Sequence, residues 1–305
     1  TYITGGACAI PNGVSARGES VHEAFGAAYQ LPNRTAYNET CANIGNAMWN
    51  WRMLTATGDA KYADIMETVL YNSGLSPVSA DGHEFFYANP LLWNGDTNGH
   101  TRNFSPVRWS VWNCYCCPPQ VARTIAGLGR WAYSVSTNTV WVHLYGGNTL
   151  QTRLPDGATV ALAQETRYPW DGSVKITVKQ APASAVSLML RVPGWVDSPS
   201  LKINRRGFEG EIKPGSYVAV NRKWAAGDVI ELNFPMPVRL MEANPQVEDC
   251  RNRVAVMRGP VVYCAEFPKR DNGEQIWNDG VFLPENGRLT PRLDKKSFGG
   301  VVVLK

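Results

Sequence analysis

Residues 118–144 read PPQVARTIAGLGRWAYSVSTNTVWVHL, and within this stretch the chain changes from a helical to a strand-like pattern. The two opening prolines suit the first turn of a helix. The apolar residues after them recur at helical spacing, at Val121, Ile125, Leu128 and Ala132. From residue 140 onwards, short apolar runs of strand length replace that spacing. The stretch therefore predicts helices before residue 136 and β-structure after it.

Two earlier segments share the helical pattern. Their apolar residues are Ile44, Met48, Trp51 and Leu54 within residues 39–57, and Tyr62, Ile65, Met66, Val69 and Leu70 within residues 59–73. Asp59 is expected to cap the second helix, and Gly58 and Gly74 are expected to end the two helices. Residues 75–115 are rich in Asn, Gly and aromatic residues and are expected to form loops.

The later part of the chain contains strand-like runs, separated by turn sequences such as Pro155-Asp156-Gly157 and Trp170-Asp171-Gly172. These runs are 140–144, 174–178, 186–190, 217–220, 229–232 and 254–256. Short strands at this spacing are typical of antiparallel sandwiches. Helices followed by strands predict separate α and β domains rather than an alternating α/β fold.

The composition excludes some classes of function. Thirty basic residues against 26 acidic ones leave a net charge of +4, without any dense basic tract, so a nucleic-acid-binding surface is not expected. No apolar run approaches the roughly 20 residues of a membrane helix. Eleven Trp and twelve Tyr favour either sugar binding, since flat rings cover the apolar faces of sugars, or a large aromatic core.

The seven cysteines lack the even, spread pattern of a disulfide framework. Three of them, Cys114, Cys116 and Cys117, fall within four residues, which favours metal binding or reactive thiol chemistry. Cys250 and Cys264 flank a strand-like run and are expected to be buried free thiols rather than a pair.

Two cysteine-containing stretches stand at expected helix starts. Asn38-Glu39-Thr40-Cys41 precedes the first helix, and Cys114-Tyr115-Cys116-Cys117-Pro118-Pro119 precedes the third. Thiolate and carboxylate ligands together suit Zn²⁺, and a helix N-terminus favours the thiolate form of cysteine. A catalytic metal site, a structural zinc and a set of buried thiols all fit this pattern. Glu23, beside Phe25, is a candidate general acid or else a solvated carboxylate.

Ordered blocks of the sequence resemble the β-L-arabinofuranosidase family, glycoside hydrolase family 127, or its close relative family 146. The blocks are 2–6, 23–25, 29–33, 39–42 and 114–119. The resemblance covers the whole chain and implies that residues 1–136 are the C-terminal part of an (α/α)6 catalytic barrel, followed by β-sandwich domains at 137–237 and 238–305. It also implies that part of the barrel and the end of the last sandwich lie outside the chain, and that these residues alone are inactive or poorly soluble.

The resemblance also implies roles for single residues. The family's zinc ligands correspond to Glu39, Cys41, Cys116 and Cys117, with one zinc per chain; Cys116 is also the nucleophile, and Glu23 is the acid/base. The implied activity is a retaining glycosidase that releases terminal β-L-arabinofuranose from glycoconjugates or plant polysaccharides. Carbohydrate is therefore the expected partner, whereas the exact sugar, its linkage and the formation of a homodimer stay open.

Loop residues near these motifs are candidate sugar contacts or else packing residues: His22, His83, Tyr87, Arg108 and Trp112. Two other functions compete with hydrolysis. One is a zinc-stabilised carbohydrate-binding protein without turnover, which the presence of Glu23 disfavours. The other is a thiol redox protein that uses Cys114 and Cys117, for which the surrounding βαβ pattern is missing.

Three asparagines, Asn33, Asn38 and Asn103, begin N-glycosylation acceptor sequences. A glycan on Asn38 would block the neighbouring Glu39. A bacterial protein of the cytoplasm or periplasm is therefore expected rather than a product of a eukaryotic secretory route. No role follows from the sequence for Cys8 or Cys114.

Overall fold

The computed structural model describes residues 1–96, 98, 100–111, 113–267, 281–284 and 287–305. Its helices are α1 Thr40–Thr57, α2 Ala60–Tyr71, α3 Cys117–Gly127 and the single turn α4 Gly129–Ala132. Its strands are β1 Ile10–Val14, β2 Ser20–Ala24, β3 Tyr133–Ser136, β4 Thr139–Val142, β5 Asn148–Arg153, β6 Thr159–Thr166, β7 Ser173–Gln180, β8 Val186–Val192, β9 Ser200–Ile203, β10 Arg206–Gly207, β11 Ser216–Arg222, β12 Val229–Asn233, β13 Val238–Met241, β14 Ala255–Arg258, β15 Val261–Tyr263, β16 Pro291–Asp294 and β17 Val301–Leu304. Apart from the β1–β2 hairpin, helices precede strands, as predicted.

The helix ends follow the predicted capping residues. Asp59 precedes α2, and its Oδ1 accepts a hydrogen bond from the Lys61 backbone N–H at 3.0 Å. Gly58 adopts a left-handed φ of 70° after α1 and donates its N–H to the Leu54 carbonyl at 2.8 Å. Beyond α2, Gly74 donates to the Val69 carbonyl at 2.7 Å.

Two of the periodic apolar residues are exposed. Met48 in α1 is 46% exposed and Ile125 in α3 is 55% exposed. The buried side of α1 runs instead through Ile44, Ala47 and Leu54, so the small Ala47 occupies the position that the pattern suggests for Met48. The apolar spacing thus located the helices correctly, and at one position of the buried face of α1 it chose Met48 where Ala47 is buried.

By its contacts the chain divides into two compact units. The first contains residues 1–47, 68–123 and 238–305. It holds the antiparallel β1–β2 hairpin, the three-stranded sheet β13-β14-β15 and the β16–β17 hairpin. One of its hydrophobic clusters gathers Cys8, Tyr37, Phe85, Tyr87, Ala88 and Cys117. Cysteines and tyrosines of the predicted site therefore belong to the core of this unit.

The second unit contains residues 48–67 and 124–237. It holds a six-stranded sheet, ordered β10-β9-β12-β7-β6-β5, and a four-stranded sheet, ordered β11-β8-β4-β3. The prediction of antiparallel pairing is wrong for β4 and β8, which run parallel with Val140 opposite Leu188. Side chains alternate with a period of two in both pairings, so the sequence pattern cannot tell them apart. Among the described residues, no helix is long and apolar enough to cross a membrane.

Candidate active site and metal centre

The predicted metal ligands belong to the first unit and lie at the N-termini of two helices. Glu39 immediately precedes α1 and Cys41 is the second residue of that helix, while Cys116 precedes α3 and Cys117 begins it. One ligand atom from each of the four residues lies within 4.8 Å of all the others. The structure therefore brings together, as predicted, a compact donor set of three thiols and one carboxylate.

The individual distances show a close-packed cluster. The Cys117 Sγ lies 3.7 Å from the Cys116 Sγ and 3.8 Å from the Cys41 Sγ. The Glu39 Oε1 accepts from Cys116 at 3.7 Å and from Cys117 at 3.9 Å. Glu39 and Cys117 are buried, whereas Cys41 and Cys116 are half-buried. The cluster is thus closed to solvent at Glu39 and Cys117 and partly open to solvent at Cys41 and Cys116.

The pKa values of the four groups reflect burial and the hydrogen bonds among them. The hydrogen bond between Cys41 and Cys117 lowers the pKa of the Cys41 thiol to about 6. Burial, followed by the hydrogen bond with Cys41, raises the pKa of Cys116 to about 12, and the hydrogen bond to Cys41 also raises the pKa of Cys117. Burial raises the pKa of Glu39 to about 8, and the negative charge on Cys41 adds to the rise. Only Cys41 has a lowered pKa, and hydrogen bonds within the cluster cause it, so the predicted effect of the helix N-termini on the thiols stays a prediction.

A buried polar network holds the Glu39 end of the cluster. The carbonyl of Asn38 accepts hydrogen bonds from the Asn89 and Asn43 side-chain amides at 2.9 and 3.1 Å. The Asn89 amide also donates to the Thr40 hydroxyl at 3.0 Å, and that hydroxyl donates to the Phe86 carbonyl at 2.8 Å. Asn38 has a left-handed φ of 46°, a conformation that asparagine tolerates better than most residues. These contacts fix the backbone from which Glu39 and Cys41 project.

Glu23 lies in β2 with its carboxylate against two tyrosines. The hydroxyls of Tyr37 and Tyr87 both donate to Glu23 Oε1, at 3.1 and 2.8 Å. Glu23 has a left-handed φ of 55°, which is uncommon for a residue with a side chain and interrupts the regular alternation of the strand. The suggested neighbour Phe25 is 77% exposed, so phenol hydroxyls rather than that ring form the surroundings of the carboxylate.

The Tyr87 hydroxyl stands between Glu23 and the cysteine cluster. It lies 3.8 Å from the Sγ atoms of both Cys116 and Cys114. Cys114 is exposed and lies 3.8 Å from the Cys116 Sγ, but it is not among the four clustered ligands. The Glu23 carboxylate, the Tyr87 phenol and the Cys116 thiol therefore lie next to one another in space, in that order.

The other candidate sugar contacts occupy varied positions. His22 lies in β2 rather than in the predicted loop, is exposed, and its Nδ1 is 3.1 Å from Asn12 Oδ1. His83 is exposed, and Tyr87 is buried. Arg108 donates to the carbonyls of Pro77 and Ser76 at 2.9 and 2.8 Å, so its guanidinium braces the neighbouring loop. Trp112 lies outside the described residues.

The remaining cysteines are free thiols. Cys8 is buried and lies 3.5 Å from the Ala24 carbonyl, next to Glu23. Cys250 is half-buried, and the expectation that Cys264 is buried is wrong, because its surface is exposed.

Sequence reasoning missed three supporting residues: Tyr37, Asn89 and Asn103. Asn103 has a left-handed φ of 59°, and its Nδ2 donates to the Tyr37 hydroxyl at 2.8 Å. The only local signal for these residues is a polar or phenolic side chain close to a ligand motif, and such a signal does not distinguish them from other loop residues.

Family models match this chain along nearly its whole length. Residues 1–130 match the family 127 β-L-arabinofuranosidase catalytic domain, residues 139–236 its middle domain, and residues 238–293 the family 127 C-terminal domain. The chain belongs to glycoside hydrolase family 127. The ligand motifs at Glu39 and Cys116 both lie within the part that matches the family 127 catalytic domain.

Known relatives agree with the family 127 assignment. A non-reducing end β-L-arabinofuranosidase of Bifidobacterium longum subsp. longum is 37% identical over 276 residues, which cover 86% of this chain and 40% of that protein. A solved glycoside hydrolase is 43% identical with a TM-score of 0.91, over 100% of this chain and 51% of that one. A family 127 β-L-arabinofuranosidase from Geobacillus stearothermophilus T6 is 42% identical with a TM-score of 0.84, over 100% of this chain and 46% of that one. The chain thus spans about half, or less, of the length of these relatives.

Proposed function

We propose that the protein containing this chain is a retaining glycosidase that releases terminal β-L-arabinofuranose from glycoconjugates or plant polysaccharides. One observation carries the proposal: the Glu23 carboxylate and the Cys116 thiol contact the same Tyr87 hydroxyl, at 2.8 and 3.8 Å. A retaining double displacement needs an acid/base and a nucleophile close together, usually about 5 Å apart. The choice of sugar is supported by two relatives whose names specify β-L-arabinofuranosidase.

We propose zinc as the metal, with one ion per chain held by Glu39, Cys41, Cys116 and Cys117. Three sulfur donors and one carboxylate within 4.8 Å fit the preference of this borderline-soft ion for four mixed ligands. When bound, zinc holds the thiols in their thiolate form.

In the proposed first step, the sulfur of Cys116 attacks the anomeric carbon of the sugar. The bond from that carbon to the leaving oxygen breaks, and Glu23 donates its proton to that oxygen. Glu23 then accepts a proton from water, whose oxygen attacks the same carbon and displaces the sulfur. Each step inverts the anomeric carbon, so the product retains the configuration of the substrate.

The finer architecture and the sugar contacts are also proposals. Similarity over the whole chain to solved glycoside hydrolases, one of them a family 127 enzyme, supports residues 1–136 as the C-terminal part of an (α/α)6 barrel, with β-sandwich domains at 137–237 and 238–305. Tyr87 has the best support as a sugar contact, because its hydroxyl lies between the two reacting groups.

We further propose a bacterial protein that does not pass through a eukaryotic secretory route. Asn38 is only 2% exposed, and its Nδ2 donates to the Asn89 carbonyl at 3.1 Å, so a glycan there would disrupt the Glu39 network. The two relatives with named sources come from bacteria.

Two substitutions in the complete gene product test the activity. Cys116→Ser and Glu23→Gln should each lower turnover of an aryl β-L-arabinofuranoside by at least about 100-fold, because one removes the nucleophile and the other the proton donor. Cys114→Ser is the matched control, since this thiol lies beside Cys116 but outside the four-residue cluster, and it should retain most activity.

The outcomes of this experiment separate the candidate functions. Near-full turnover by either variant would contradict the assigned roles. About one zinc per chain together with sugar binding but no hydrolysis of any aryl glycoside would favour the carbohydrate-binding alternative. A protein that binds no metal and has a thiol redox activity that depends on Cys114 and Cys117 would favour the redox alternative.

A further inference from the structure

Behind Glu23 lies a short chain of hydrogen bonds that the proposed mechanism does not yet use. The Nδ2 of Asn103 donates to the Tyr37 hydroxyl at 2.8 Å, and that hydroxyl donates to Glu23 Oε1 at 3.1 Å. Tyr37 is fully buried. The Arg102 guanidinium lies 5.8 Å from the centre of the Tyr37 ring. The Tyr37 phenol is therefore held by Asn103, Glu23 and Arg102 before any substrate binds.

The direction of these bonds follows from the atoms involved. An amide nitrogen can only donate, so the Tyr37 oxygen must accept from Asn103. The single proton of the phenol is then free to point towards the carboxylate. Asn103 thus orients the Tyr37 hydroxyl as a donor to Glu23.

Both tyrosine donors select the same oxygen of Glu23. Tyr37 and Tyr87 bond to Oε1, and within the described part of the chain no hydrogen-bond donor lies at Oε2. An oxygen that already accepts two hydrogen bonds is a poor place for an additional proton, whereas Oε2 is free to carry one.

We propose that Tyr37 and Asn103 are positioning residues that assign the catalytic proton to Oε2 of Glu23. This inference rests on the proposed function. In the first step the proton leaves Oε2 for the departing glycosidic oxygen as the bond from sulfur to carbon forms. In the second step Oε2 takes a proton from water as the bond from that water's oxygen to the anomeric carbon forms and the sulfur is displaced. Oε1 remains bonded to the two phenols throughout, which keeps the carboxyl plane fixed.

The test compares leaving groups, because only a poor leaving group needs a proton during bond cleavage. Tyr37→Phe and Asn103→Ala are made in the complete gene product. Each is assayed on β-L-arabinofuranosides with an activated dinitrophenyl group and with an alkyl group. Tyr37→Phe keeps the buried ring but loses the donor. It should lower kcat/KM at least about tenfold more for the alkyl than for the activated substrate. Asn103→Ala should show a weaker effect in the same direction.

Tyr2→Phe provides the matched control. Tyr2 is a buried tyrosine of the same compact unit, and its hydroxyl donates to the Pro32 carbonyl at 2.9 Å without contacting Glu23. This variant should lower kcat/KM for both substrates equally or not at all. Zinc content should stay the same in Tyr37→Phe, which separates lost positioning from general damage to the site.

Two results would overturn the inference. Equal losses on both substrates in Tyr37→Phe, or the same leaving-group dependence in Tyr2→Phe, would reduce Tyr37 to a structural residue. Glu23→Gln in the same assay keeps the two proposals distinguishable. If Glu23→Gln shows leaving-group dependence and Tyr37→Phe does not, only the positioning role fails. If Glu23→Gln shows none, the proposed acid/base itself is wrong.

Discussion

At the scale of single residues, the position of Glu39 depends on a glycine far from it in sequence. A Cβ atom on Gly6 would lie 1.7 Å from Oδ1 of the buried Asn38, the residue that precedes Glu39. Gly6→Ala should therefore displace the Asn38 side chain and disturb the network around the Glu39 backbone. We expect a loss of about 1–3 kcal/mol in the free energy of unfolding and a lower zinc content, measured by denaturant unfolding and metal analysis.

Gly45→Ala is the control for this substitution. Gly45 lies inside α1, and a Cβ there would meet no atom within 4 Å. Since glycine weakens a helix interior relative to alanine, this variant should be neutral or more stable by up to about 1 kcal/mol, with zinc unchanged. Full stability and full zinc content in Gly6→Ala would show that Asn38 does not support the ligand.

Single residues also mark the limit of what the sequence could predict about the site. The two ligand stretches were recognisable because closely spaced cysteines carry specific chemistry, and the resemblance to family 127 then assigned the four ligands. Tyr37 and Asn103 were not, since a phenol or an amide has many ordinary roles and gains its function only from the partner that folding brings to it. Glu23 is the intermediate case: its residue type suggested an acid, but the two phenols that surround it were not predicted.

At the scale of elements, α1 and α3 each present two ligands at their N-termini. Without a cation these four groups repel one another when ionised, so removing zinc should loosen both helix starts. We expect a chelator to lower the Tm of the wild-type protein by several degrees. Cys117→Ser should begin near that lower Tm and respond little to the chelator.

The exposed thiol Cys264 offers a control for this measurement. Cys264→Ser should keep both the wild-type Tm and the full response to the chelator. An unchanged Tm in the stripped wild-type protein would mean that the metal does not stabilise the helix starts.

Elements also differ in how far local sequence determines them. The helices α1 and α2 were predicted almost to their ends, because Asp59, Gly58 and Gly74 act through bonds within a few residues. The β1–β2 hairpin was missed, because Pro11-Asn12-Gly13 within β1 has the composition of a turn and forms a strand only by pairing with β2. The parallel pairing of β4 with β8 depends on a partner more than 40 residues away, which local periodicity does not specify.

At the scale of the whole molecule, buried charge joins distant segments of the second unit. Arg191 is fully buried and forms ion pairs with Asp64 and Glu67 of α2. Glu67 also accepts hydrogen bonds from the Tyr168 hydroxyl at 2.7 Å and the Trp195 indole at 3.1 Å. A buried charge is costly without such partners, so residues 48–67 and the strand region stabilise each other. Sequence patterning could not predict this buried network, because Asp64 and Glu67 lie more than 100 residues before the partners that they contact.

The same unit contains a histidine that should make stability depend on pH. His143 is buried, with Nδ1 at 2.6 Å from the Tyr217 hydroxyl and Nε2 at 2.8 Å from the Ser134 hydroxyl. Burial, with the nearby Arg191 charge adding to it, lowers its pKa from 6.5 to about 3. Between these values the unfolded chain binds a proton that the folded chain does not. The free energy of unfolding should therefore fall as the pH drops from about 6.5 towards 3, by up to about 1.4 kcal/mol per pH unit.

Urea unfolding at pH 7, 6 and 5 measures this dependence of the unfolding free energy on pH. Glutamine does not titrate, so His143→Gln should have a smaller slope of unfolding free energy against pH, whatever the variant loses in stability at pH 7. The exposed His83→Gln should keep the wild-type slope. If His143→Gln kept that slope too, acid sensitivity would arise from other groups, and the neutral imidazole would not be what couples this unit to pH.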